Sequence, residues 1–151
     1  MKRKKSKNYN GTVEAVASAL IIKDDKILLV KSHKWGDSYL IPGGHIEHEE
    51  KIFDAAKREG EEETGLKLKP LYLVNFGELI NSPSFNRKAH LIYFHVVCEA
   101  LNDKVKLDNK ELKDFIWINP KEALKLPNLL AYKTIKNYID KVKIKIGSEK
   151  F

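Results

Sequence analysis

Two apolar runs near the start, "VEAVASALII" at 13–22 and "KILLVK" at 26–31, most constrain what this chain can fold into. Only Lys23-Asp24-Asp25 separates them, so they read as two strands joined by a tight turn. Neither run alternates cleanly between polar and apolar residues. Strands of that kind expose apolar side chains on both faces of a sheet, and both faces then need cover. "YLI" reads as a short third strand, stopped at Pro42-Gly43-Gly44, where a tight turn is expected with dihedrals that glycine permits. A helix is predicted over 49–64, ending on Gly65 in the left-handed region, with Leu66 making the apolar contact beyond. "LYLVNFGELI" and "AHLIYFHVVCEAL" follow as strands joined by the loop "NSPSFNRK", then "FIWI" as a short strand before a helix start at Asn119-Pro120. In "LLAYKTIKNYIDKV", Leu130, Ile135, Tyr138, Ile139 and Val142 recur at helical spacing. The predicted class is α/β, a mixed sheet with helices on both faces.

At 151 residues, one domain can close one core without disulfides. The single cysteine, Cys98, lies in the apolar pattern "LIYFHVVCEA" and is expected to be buried. No apolar run approaches a membrane span and no apolar segment follows the N-terminal charges, so a cytoplasmic protein without membrane contact is expected. The formal charge is +7, and five of those positive charges lie in "MKRKKSK". The tail "KVKIKIGSEKF" is also basic. Both ends can be solubilising segments, or can attract polyanions such as RNA.

Against that charge, "GHIEHEEKIFDAAKREGEEETGL" gathers eight carboxylates between Glu47 and Glu63. On a helix Glu59, Glu62 and Glu63 share one face. Like charges there repel, and the negative end of the helix dipole adds to the cost. Cations or long basic side chains have to compensate. Magnesium suits such a site, since it takes oxygen ligands and is commonly shared with substrate phosphates; manganese is the alternative. Arg58 can hold a carboxylate or a phosphate through its bidentate fork. Phe53, Ala56 and Gly60 form a flank that can lie against the sheet. Glu47, Asp54 and Glu61 are expected to meet water.

The stretch resembles the Nudix box: Gly, five residues, Glu, seven residues, Arg-Glu, an aliphatic residue, any residue, Glu-Glu, any residue, Gly, aliphatic. Gly44, Glu50, Arg58, Glu59, Glu62, Glu63, Gly65 and Leu66 stand at those places. Gly60 departs, standing where the family prefers an aliphatic side chain, and a mid-helix glycine costs about 1 kcal/mol relative to alanine. The resemblance covers 12–140, leaving 1–11 as a basic, flexible segment and 141–151 as a basic tail. It implies an α/β/α sandwich and magnesium-dependent hydrolysis of nucleoside diphosphates linked to another group. It also implies Glu59, Glu62 and Glu63 as metal ligands, with Glu50 and Arg58 bracing the loop–helix–loop and Gly44 giving the backbone its turn. Glu63 or Glu111, in "NKELKDFIW", would be the general base. Many members are dimers, though no segment here identifies an interface.

The substrate has to be read outside the box. Trp35 and Phe85 are candidates for stacking on a base, and Arg87 for meeting phosphate. Pro83 lies 17 positions after Leu66, near a proline of the ADP-ribose-hydrolysing group. The "SQPWPFPxS" stretch of the NADH-hydrolysing group is absent. A small nucleotide such as ADP-ribose or a (d)NTP is the expected partner. The alternatives are an enzyme or binder of RNA 5′ ends, and a noncatalytic nucleotide-binding domain.

Overall fold

The computed structural model describes residues 8–147, so "MKRKKSK" and the last four residues lie outside the described part. The elements run β1 (Val13–Lys23), β2 (Lys26–Ser32), β3 (Tyr39–Leu40), β4 (Gly43–His45), α1 (Ile52–Thr64), β5 (Leu68–Ile80), β6 (His90–Ala100), β7 (Leu112–Ile118), α2 (Pro120–Ala123) and α3 (Tyr132–Ile139). The expected hairpin forms: Lys23 pairs with Lys26, and Asp24 and Asp25 take φ of 50° and 63°. Positive φ at both central residues makes the turn twist with its strands, and aspartate tolerates that region.

The sheet runs β3-β2-β1-β6-β5, with β4 also paired to β1 and β7 to β2. β1 and β6 are parallel, from Val13 opposite His90 to Ile22 opposite Glu99, and the other pairings are antiparallel. Period-two alternation sorts the inner strands onto two cores. Ala17, Ala19, Ile21, Leu28 and Val30 pack on the α1 side with Ala55 and Ala56. Leu20, Ile27 and Leu29 pack on the other side with Ala131 and Ile135 at α3. The result is the α/β/α sandwich. Cys98 is fully buried, and burial pushes its thiol up to about 12.

Three local expectations need correction. Gly43 and Gly44 form no turn; with His45 they are β4, paired opposite Ser18, Ala17 and Val16. Their glycine requirement comes from close approach, because a Cβ on Gly43 would meet Ser18 Oγ and one on Gly44 would lie 2.6 Å from the Glu59 carboxylate. The helix begins at Ile52, not at 49, because Glu49 has φ of 63° and the Glu50 N–H closes a turn on the Glu47 carbonyl at 3.0 Å. Leu130 lies outside α3: its N–H donates to Tyr39 O at 2.9 Å, so its backbone is committed to the sheet edge. Gly65 caps α1 at φ 73°, as its position after the helix predicts.

Candidate active site

Helix α1 is held by one arginine. Arg58 Nε donates to Glu50 Oε2 at 2.7 Å and a terminal nitrogen to Glu50 Oε1 at 2.9 Å. The same guanidinium donates to the His45 carbonyl at 3.0 Å and to Glu59 Oε1 at 2.8 Å. The fork is thus used inside the protein, linking helix, turn and β4. The Glu50 hydrogen bonds, followed by Glu59, raise the Arg58 pKa above its ordinary value. Glu61, expected to meet water, instead accepts the Leu68 N–H at 2.9 Å and pairs with Lys57 at 3.6 Å. It ties the helix end to the start of β5.

Glu59 and Glu63 are 1% and 3% exposed, so this face of the helix is turned into the protein. Glu63 Oε2 accepts the Gly43 N–H at 3.2 Å. Glu62 stands further out, its side chain 39% exposed and 3.5 Å from Arg58. A third carboxylate comes from another segment. Oxygens of Glu59, Glu63 and Glu111 all lie within 4.8 Å of one another. The segment before β7 is attached to the helix end by main-chain bonds, Lys106 N–H to Thr64 O at 2.7 Å and Asp108 N–H to Glu63 O at 3.2 Å. Its far end is fixed where His33 N–H donates to Glu111 O at 3.0 Å. Three hard, anionic oxygens within one ion's reach are the donor chemistry that magnesium or manganese takes.

The cluster borders a cavity of about 500 Å³ whose lining includes Glu63, Glu111, Lys34, Trp35, Phe85 and Arg87. The expected substrate candidates therefore meet here. Their faces and charges are partly committed to one another. Trp35 and Phe85 have ring centroids 4.4 Å apart, and the Arg87 guanidinium lies 5.0 Å from the Phe85 ring and 5.4 Å from that of Tyr9. Tyr9 in turn stacks on His45 at 4.1 Å. Arg87 grips the fully buried Glu14 carboxylate with both terminal nitrogens, and His45 Nε2 lies 2.7 Å from the same group. The Arg87 hydrogen bond holds the Glu14 carboxyl below the usual carboxylate range, although burial opposes this; His45 adds to the lowering. Sequence reasoning missed Tyr9, Glu14 and His45. Glu14 interrupts an apolar strand, and that lone buried charge is the signal that could have found it.

The NUDIX domain family model matches residues 12–139. The chain belongs to the Nudix family. Among curated Nudix relatives, it is 29% identical over 123 residues to human diphosphoinositol polyphosphate phosphohydrolase 3-alpha, covering 81% of this chain and 71% of that one. It is 30% identical over 128 residues to mouse diphosphoinositol polyphosphate phosphohydrolase 2, covering 81% and 65%. Of solved structures, the MutT NUDIX hydrolase from Burkholderia pseudomallei superposes with a TM-score of 0.70 at 21% identity, covering 83% of this chain and 98% of that one. A UDP-X diphosphatase gives 0.66 at 26% identity, covering 90% and 68%. This Nudix protein is a hydrolase acting on pyrophosphate bonds. No helix among its described residues is long and apolar enough to cross a membrane.

Proposed function

We propose that this Nudix hydrolase cleaves a phosphoanhydride bond in a small nucleoside diphosphate derivative, with a divalent ion held by Glu59 and Glu63. The observation that carries the proposal is the meeting of Glu59, Glu63 and Glu111, from two separate segments, beside a cavity large enough for a small nucleotide. A magnesium ion bound there would offset the charge that develops on the phosphoryl oxygens. Water adds to one phosphorus, the bridging P–O bond breaks, and the departing phosphate carries away the bond's electron pair. Glu111 takes the water's proton; it lines the cavity, with Lys34 Nζ 3.6 Å from its carboxylate. Arg58 positions Glu59 and does not reach for substrate, since its donors already serve Glu50, His45 and Glu59. Glu62 joins the ion only if its side chain leaves Arg58.

The named relatives act on diphosphoinositol polyphosphates, which carry far more negative charge than a nucleoside diphosphate. Among the described cavity-lining residues, the Lys and Arg side chains are Lys34 and Arg87, and Arg87 is gripped by Glu14. That modest positive charge favours a nucleotide.

The test is a panel of nucleoside diphosphate derivatives and one diphosphoinositol polyphosphate, assayed with magnesium and with chelator, with products read in ¹⁸O-water. Magnesium-dependent release of a nucleoside monophosphate is expected. Turnover of the inositol compound alone would overturn the nucleotide assignment. Glu111→Gln should abolish the acid limb of the kcat profile while manganese binding, read by EPR, persists; an unchanged profile removes Glu111 as the base.

A further inference from the structure

A second cavity of about 200 Å³ adjoins the first, and Val16, Ser18, Trp35, Leu40, Ile41 and Leu91 line both. The rest of its lining includes Asn75 and Glu78 of β5, Tyr93 and His95 of β6, and Lys133 and Thr134 of α3. We propose that this smaller cavity binds the uncharged, planar heterocycle of the substrate while the larger cavity takes the diphosphate. The inference rests on the nucleotide reading above and adds the subsite and the residues that recognise the base.

Size gives the first argument. Ligand pockets for drug-sized molecules begin at about 300 Å³, so this space suits one ring system and not a whole nucleotide. The second is a polar trio on a largely apolar slot, with Asn75 and Thr134 buried and His95 half-buried. Asn75 Nδ2 donates to Thr134 Oγ1 at 3.1 Å, and Thr134 Oγ1 lies 2.6 Å from His95 Nδ1. Thr134 has one hydroxyl proton. Its oxygen has two lone pairs, so beside the bond from Asn75 it serves His95 Nδ1 as donor or as acceptor, according to the imidazole tautomer. Burial lowers the His95 pKa to about 3, which keeps the ring neutral. The Asn75 carboxamide oxygen and its second N–H, together with His95 Nε2, make no further hydrogen bond among the described residues. The charged side chains on the slot, Glu78 and Lys133, are of opposite sign, and a slot of no net charge with unspent donors and acceptors selects an uncharged edge with complementary groups.

Attachment of α3 to the sheet does not account for the trio, because Asn137 Nδ2 already makes that link to Val74 O at 3.0 Å. Trp35 completes the geometry. It lines both cavities while its ring packs on Phe85 in the first, so it stands where the heterocycle and the diphosphate would be joined.

The experiment is an NMR titration of the full chain, without metal, using adenosine, guanosine, cytidine and uridine as probes and ribose 5-phosphate as control. At least one nucleoside should shift the Asn75, Tyr93 and His95 side-chain signals saturably, and the control should not. Asn75→Ala should weaken that nucleoside at least tenfold and flatten kcat/KM across nucleoside diphosphate derivatives of the four bases. Should Asn75→Ala melt early, Leu130→Trp serves instead. Leu130 lines the slot, is 41% exposed, and can be enlarged without entering the core. It should block the nucleoside at an unchanged Tm. Absence of the shifts with every nucleoside, or equal binding by the blocked variant, overturns the subsite. Nucleoside binding without turnover of any nucleoside diphosphate derivative would overturn the hydrolytic reading and leave the subsite standing.

Discussion

Glu63 is 3% exposed and accepts the Gly43 amide, whereas Glu62 beside it has a side chain 39% exposed and 3.5 Å from Arg58. Neutralising the buried pair should therefore matter more. Glu59→Gln and Glu63→Gln should each lower magnesium-dependent kcat by about 10²- to 10³-fold, the loss typical of removing one electrostatic contact to a transition state. Glu62→Gln should cost less than either, and steady-state kinetics on one substrate would rank them; equal losses at 62 and 63 would bring Glu62 into the ion's coordination. The Glu14–Arg87 pair gives a prediction on stability. A carboxylate whose pKa is lowered by folding stabilises the protein above its unfolded pKa, and that contribution is lost as pH falls through the lowered value. Arg87→Ala leaves the carboxylate its His45 contact only, should destabilise by about 1–3 kcal/mol at neutral pH, and should move the acid-side loss to higher pH. Urea unfolding across pH would show both effects. The helical spacing of Glu59 and Glu63 was legible in the sequence because a helix converts it directly into a shared face. Glu14 and Arg87 are 73 positions apart and meet only through the pairing of β1 and β6, which no local pattern encodes.

At the scale of elements, Gly60 shows why a departure from the family pattern need not loosen the packing. A Cβ there would lie 2.6 Å from Leu68 Cδ1 and 3.2 Å from Ala19 Cβ, so Leu68 of β5 fills the space an aliphatic residue of the helix would take. Gly60→Val should then cost about 1–3 kcal/mol through overpacking, and Leu68→Ala about 2–5 kcal/mol through the cavity it leaves. The double variant should lose clearly less than the sum, which thermal or denaturant unfolding would measure; strict additivity would mean the two side chains do not share that volume. Helix α1 was legible in extent at its C-terminal end because Gly65 marks it. Its start was not, since 49–51 have a helical composition and only the Glu47–Glu50 turn removes them. β4 was hidden for a related reason: a glycine pair signals a turn, and here it signals a backbone brought against Ser18 and Glu59.

For the molecule as a whole, the apolar runs announced the layered sheet and the charge balance announced little. Five basic residues lie at positions 2–7, outside the described part, and their loss would take the formal charge from +7 to near +2. Deleting residues 1–7 should leave turnover of a small nucleotide within about twofold. RNA affinity, if the chain has any, should lose up to about four units from the slope of log K against log salt; an unchanged slope would show that the segment does not touch RNA. Glu111 reaches the site by different means. The amides of Lys106, Asp108 and His33 that hold its segment are groups almost any residue supplies. That arm works as a ruler graduated in residues, its last mark set by the Asp108 carboxylate, which accepts the Glu111 and Leu112 amides at 3.3 Å. Exposed positions such as Lys104 and Lys110 are free to drift, whereas one residue gained or lost between 108 and 111 would carry the carboxylate past its mark and silence a well-folded enzyme.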